Sequence, residues 1–138
     1  MYIPPRPCPL MPMVALVVDD SMLMRYTVCR FLEQRGYIVE SATNGVEALE
    51  QLAHMKPDLI VTDIQMPQMS GSELISEVKA NPETAAVPII IVASRSSGFY
   101  ESEKRANFTI YKDIDIEDQL TKALASLAGK ARRHSAGK

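Results

Sequence analysis

Three acids and one base are the residues of this sequence best suited to chemistry. Asp19 and Asp20 stand side by side in "VVDDS", Asp63 closes "DLIVTD", and Lys112 follows "FTIY". Each sits at the end of a short apolar run. Two like charges about 4 Å apart, at an effective dielectric near 20, repel by roughly 4 kcal/mol. Three carboxylates in one crevice therefore call for a cation. An oxygen-only set suits Mg²⁺, which takes one or two carboxylates, keeps several waters and accepts phosphate oxygens. Lys112 adds a second positive centre. Mg²⁺ and a lysine around an aspartate make a place where a phosphoryl group can be received, its charge stabilised by positioned cations. Asp63 then serves as nucleophile and becomes a covalent aspartyl-phosphate.

The elements that must hold these residues follow from pattern. Residues 14–20, "VALVVDD", form a continuous apolar run, as expected of a strand buried on both faces. Ser21 caps a helix in which Met22, Tyr26, Cys29 and Phe31/Leu32 recur at helical spacing, and Gly36 stops it. Residues 37–42 are a second strand, Asn44-Gly45 a turn, and 46–55 a helix with Val46, Leu49, Leu52 and Ala53 on one face. Residues 58–63 are a third strand. A loop broken by Pro67 and Gly71 leads into the helix "SELISEVKA", and 88–93 are a fourth strand. The signal weakens over "SRSSGFYESEKRAN", where a shortened or irregular helix is expected. A short strand at 108–111 and a helix at 116–127 complete five βα units. This is the pattern of an α/β fold with a parallel sheet covered on both faces. Such sheets bind ligands at the carboxyl ends of their strands. Asp19, Asp20, Asp63, Ala93, Ser94 and Lys112 all fall at those ends, on four strands.

The chain has 138 residues, enough for one domain with a real core. Its net charge is −2, which argues for neither nucleic acid nor membrane. The charge is uneven: residues 129–138 hold four basic residues and no acid, while 13–128 hold 17 acidic against 10 basic. Residues 1–12 carry prolines at 4, 5, 7, 9 and 12 and read as a flexible leader or a mis-assigned start, with Met11 and Met13 as alternatives. Residues 13–128 read as the folded domain and 129–138 as a basic flexible tail. Cys8 and Cys29 show no CxxC spacing, which suits a reducing, cytoplasmic setting. No apolar run approaches a membrane span. His54 and His134 lack the setting of a phosphodonor helix. Asp58 opens its strand at the end away from the other acids.

Taken together, "VVDDS", "DLIVTDIQMPQMSG", "VPIIIVA" and "YK", in this order and spacing, resemble the receiver domain of bacterial two-component response regulators, in its stand-alone, chemotaxis-regulator-like form. The resemblance covers about residues 13–128. It implies a doubly wound, flavodoxin-like (βα)₅ sheet of order 2-1-3-4-5. It implies that Asp63 is phosphorylated from a phosphohistidine of a histidine kinase or phosphotransfer protein. Asp20 would bind Mg²⁺ directly and Asp19 through water, and the backbone carbonyl of Gln65 would complete the metal shell. Lys112 would pair with the phosphoryl group. Three positions depart from the family pattern. Ala93 stands where a threonine or serine usually donates to the phosphoryl group, and Ser94 is the nearest substitute. Thr109 stands where an aromatic residue usually swings inward, and Asp113 replaces the usual proline.

Three functions compete. The first is a phosphoacceptor that catalyses only its own phosphorylation and dephosphorylation. With no DNA-binding domain after the last helix, it signals by binding a downstream protein, its kinase meeting the first helix near residues 22–26. The second is a degenerate receiver acting as a phosphate-independent interaction module, motivated by Ala93 and the short fourth crossover. The third is an aspartate-nucleophile hydrolase. It is disfavoured because the motif is "DDS" rather than DxD and no insertion encloses a substrate. Nucleotide readings fail for want of GxGxxG or GxxxxGK[ST].

Overall fold

The computed structural model describes residues 13–64, 71–93, 107–111 and 115–136, with side chains placed through residue 127. Five strands, β1 (Val14–Val18), β2 (Ile38–Ala42), β3 (Leu59–Asp63), β4 (Ile89–Ala93) and β5 (Phe108–Tyr111), form one sheet of order β2-β1-β3-β4-β5. Every pairing is parallel, with Val18 opposite Thr62 and Asp63 opposite Val92. The four described helices are α1 (Met22–Gln34), α2 (Gly45–Leu52), α3 (Gly71–Ala80) and α4 (Ile116–Ala136). This is the doubly wound α/β architecture that the alternation of apolar runs implies. The expected fourth-crossover helix falls within residues 94–106 and the leader within 1–12, both outside the described residues.

Strand alternation divides the core in two. Leu16, Val18, Ile60, Ile89, Ile91 and Ala93 pack with Ala48, Leu74, Ile75 and Val78 beneath α2 and α3. Ala15, Val17, Leu59, Val61, Ile90 and Val92 pack with Val28, Phe31, Leu32, Leu120 and Ala123 beneath α1 and α4. β3 and β4 are buried along their whole length, which is why both read as unbroken apolar runs.

Helix starts follow their capping residues. Ser21 Oγ accepts from the Met24 amide at 3.3 Å, and Asn44 Oδ1 accepts from the Glu47 amide at 2.8 Å. Glu47 Oε1 reaches back to accept from the Thr43 amide at 2.7 Å, closing a capping box around the start of α2. Gly36, at φ 93°, provides the left-handed turn after α1. On the outer edges of the sheet, the Gln119 side-chain amide holds both backbone groups of Tyr111, accepting at 3.1 Å and donating at 2.9 Å. Gln51 Nε2 donates to the Ser41 carbonyl of β2 at 2.6 Å.

The structure corrects three readings of the sequence. The buried stripe of α1 is Val28, Phe31 and Leu32, whereas Met22 and Tyr26 are 71% and 58% exposed. Phe31 and Leu32 anchor the helix to the sheet, and the residue three and four positions before them is Val28; that phase turns Tyr26 outward. In α2, Val46 and Ala53 are exposed, and Gly45 and Ala48 are buried in their place. Helix α4 runs to Ala136, beyond the end expected for it at residue 127. Ala, Lys and Arg are strong helix formers, and cations favour a helix C-terminus, which offsets the roughly 1 kcal/mol cost of Gly129.

Candidate metal and phosphoryl site

β1 lies between β2 and β3, and the chain, having gone from β1 to β2 on one side, crosses back to β3 on the other. At that switch point the ends of β1 and β3 are neighbours, so Asp19 and Asp20, just past β1, meet Asp63, the last residue of β3. One carboxylate oxygen from each of the three lies within 4.8 Å of the others. Asp19 and Asp63 are only 2% and 3% exposed, and Asp20 is open to solvent. At that separation each pair repels by about 3 kcal/mol at an effective dielectric of 20. Buried acids are rarely kept so close without a partner.

The backbone around the acids is tied down. The Asp19 amide donates to the Ala42 carbonyl of β2 at 3.1 Å. Asp19 Oδ1 accepts from the Ser21 amide at 2.9 Å, and the Asp19 carbonyl accepts from Arg25 Nη1 at 2.8 Å. Beside Asp63, Thr62 Oγ1 donates to the Asp63 carbonyl at 2.9 Å, and the Ile64 amide donates to Val92 at 3.2 Å. The Gly71 amide closes back onto the Ile64 carbonyl at 2.9 Å. A Cβ on Gly71 would collide with the Asp63 carbonyl oxygen and stand 2.8 Å from Ile64 Cα. A hydrogen at that position is what lets α3 begin directly against the backbone of Asp63.

Three carboxylates with one open side fit a hard divalent cation. A six-coordinate Mg²⁺ holds oxygens about 2.1 Å from its centre, so its ligands span nearly the separation seen here. Asp19, Asp20 and Asp63 are the residues that would hold it. Of the other expected site residues, Gln65, Ser94 and Lys112 lie outside the described residues. Ala93 is placed: it ends β4, fully buried beneath α2 and α3, with Tyr111 packed against the same cluster. Cys29 is no competing nucleophile, because burial and the Glu33 carboxylate push its thiol up, with Arg25 acting the other way.

Two residues of the site escaped the sequence reading. Gly71 was legible only as a loop breaker, and Arg25 only as a charge on a helix. The signal for Arg25 was available in principle: it lies one turn past the Ser21 cap, with a side chain long enough to reach back to the residue before the helix. For Gly71 nothing in the sequence shows which backbone the glycine faces.

Comparisons with known proteins agree with this fold. A profile described as "Response regulator receiver domain" matches residues 15–125. The response regulator MprA of Mycobacterium sp. (strain KMS) is 36% identical over 115 residues, covering 83% of this chain and 46% of the relative. MprA of Mycobacterium leprae (strain TN) is 36% identical over 110 residues, covering 80% of this chain and 44% of the relative. The chain thus spans about half the length of the curated relatives it matches. Among solved structures, the chemotaxis response regulator CheY4 of Vibrio cholerae superposes with a TM-score of 0.74 at 28% identity, over 84% of this chain and 98% of that one. The signal receiver domain of a signal transduction histidine kinase from Syntrophus aciditrophicus gives 0.73 at 29% identity, over 85% and 91%.

Proposed function

Since the chain belongs to the response regulator receiver domain family, we propose that it is a phosphoacceptor in a two-component pathway, with Asp63 as the accepting residue. The observation that carries this reading is the convergence of Asp63 with Asp19 and Asp20 within 4.8 Å at the ends of adjacent strands. A carboxylate oxygen of Asp63 attacks the phosphorus of a phosphohistidine on a histidine kinase or phosphotransfer protein. The O–P bond forms as the P–N bond breaks, and the imidazole nitrogen keeps the electron pair and takes a proton. Asp19 and Asp20 would hold Mg²⁺ beside Asp63, Asp20 directly and Asp19 through water, and the Gln65 carbonyl would be a further ligand. When bound, Mg²⁺ neutralises charge on the phosphoryl oxygens. Lys112 supplies a second cation, and Ser94 a hydroxyl in place of the one missing at Ala93. The protein catalyses only its own phosphorylation and dephosphorylation.

The exposed side chains of Met22, Leu23 and Tyr26 support a docking role for the first turns of α1. They form an apolar patch on the helix whose Ser21 cap adjoins Asp20, so a partner seated there would bring its histidine to the acids. The new charge and acceptor oxygens on Asp63 would then bias a downstream protein contact. No helix among the described residues is long and apolar enough to cross a membrane, in keeping with a cytoplasmic signalling role.

Phosphorylation with acetyl phosphate and Mg²⁺ tests the reading: one phosphoryl group per chain is expected, and none for Asp63→Asn. Retained labelling in that variant would refute the assignment. Buried Ala93 favours a second reading, a phosphate-independent interaction module. That reading requires partner affinity to be the same with and without beryllofluoride, whereas the phosphoacceptor reading requires a change of about tenfold.

A further inference from the structure

We propose that Arg25 is a positioning residue for the acidic pocket: its guanidinium fixes the peptide joining Asp19 to Asp20, and so the angle at which both acids meet a divalent cation. The inference rests on the Mg²⁺ reading above and adds a residue to it. Arg25 Nη1 donates to the Asp19 carbonyl at 2.8 Å. That oxygen belongs to the peptide between the two acids, so holding it fixes the plane from which the Asp20 side chain departs. The other polar groups of the turn are held from different directions: the Asp19 amide by β2 and the Asp19 carboxylate by the Ser21 amide. Arg25 completes the set.

The residue suits the task. A guanidinium is planar and permanently charged, and its hydrogen bonds to oxygen are stronger than those of neutral donors. Its base is fixed as well, since the Arg25 amide donates to the Ser21 carbonyl at 2.9 Å in the first turn of α1. The side chain is half-buried and spans six residues back along the chain to its acceptor. The turn holding the acids and the helix that follows it are thereby locked as one unit.

Arg25 has two effects of opposite sign on cation binding, which makes its role measurable. Its positive charge opposes a second cation nearby, so a residue acting by charge alone would weaken Mg²⁺ binding, and its removal would tighten it. A residue that positions the acids would strengthen binding, and its removal would weaken it. The structure favours the second effect, because the guanidinium bonds to backbone rather than to the carboxylates that meet the ion.

The test is an NMR titration of the full chain with Mg²⁺, following the amides of residues 19–21 and 63. Arg25→Met keeps the aliphatic stem and loses both donors and charge. It should bind Mg²⁺ at least fivefold more weakly than the wild type, with the melting temperature measured alongside. Arg25→Lys, which restores one charged donor, should recover part of the loss. If the methionine variant does not fold, Arg25→Gln takes its place with the same expectation. Affinity equal to or tighter than wild type in a folded variant overturns the positioning role and leaves the Mg²⁺ reading intact. A wild-type protein whose amides do not respond to Mg²⁺ overturns both.

Discussion

Where β1 and β3 end, the chain is polar and closely tied; the described part of β4 ends in a buried methyl group. Asp19 and Asp63 are held by bonds to β2, to Ser21, to Arg25 and to Thr62, and α3 starts against the Asp63 backbone without room for a side-chain carbon at Gly71. One strand over, Ala93 offers only a methyl group to a fully buried cluster. The first side has the features of a rigid acceptor of charge. On the second, the last described residue of β4 carries no hydroxyl, and the nearest described one is the phenol of Tyr111 on the paired strand. Accepting a ligand and reporting its arrival are separable demands, and the fixed polar contacts among the described residues bear on the first.

That contrast can be broken in order of expected effect. Gly71→Ala should cost about 2–3 kcal/mol, since the added carbon forces the packed α3 and β3 backbones apart. Urea unfolding would read this as a lower midpoint at unchanged slope, and a midpoint within error of wild type would show that the acid side is not rigid. Ala93→Thr should cost about 1 kcal/mol from overpacking yet speed labelling by acetyl phosphate severalfold, by placing a hydroxyl at the end of β4 itself. A stable variant with an unaltered rate would mean that the apolar side is not what limits the response.

On α1 the same contrast divides one helix. Replacing both Met22 and Tyr26 with serine should change stability by no more than about 0.5 kcal/mol, because both are exposed. It should leave acetyl phosphate labelling unaltered while slowing transfer from a cognate kinase about tenfold. Equal losses with both donors would place these residues in the chemistry rather than in docking.

The smallest effect concerns Cys29, on the buried side of that helix. Burial and Glu33 raise its thiol, so in a Cys8→Ser background its alkylation should lag that of a free thiol and rise only at more alkaline pH. The linked stability has a definite sign. The raised thiol keeps its proton in the folded state, so its contribution is present below the thiol's ordinary value. It is lost as pH climbs through the folded one. Alkylation as fast as that of a free thiol would remove the claim.

Much of this was legible in the residues themselves. Strands buried on both faces leave continuous apolar runs, so all five were placed to within two residues, and the acids at their ends pointed to one crevice. The phase of α1 was misread because Met22 and Tyr26 fit a helical repeat as well as Val28 does. Apolarity alone does not say which of two stripes faces the sheet when the exposed one is also apolar. The reach of α4 was missed because Gly129 is a reasonable stop, and only the propensity of the residues beyond it argues otherwise. Arg25 and Gly71 act on backbone atoms of other segments, and a backbone carbonyl has no identity in a sequence.

The two glutamines at the margins of the sheet have an effect on encounters between molecules. Gln119 occupies the outward amide and carbonyl of Tyr111, and Gln51 occupies the outward carbonyl of Ser41, so each flank carries a borrowed amide where a further strand would otherwise attach. An intruding chain would have to strip away a bonded side chain before zipping on. That protection against fibrous self-association is built from helix residues that touch neither the acids nor the apolar patch.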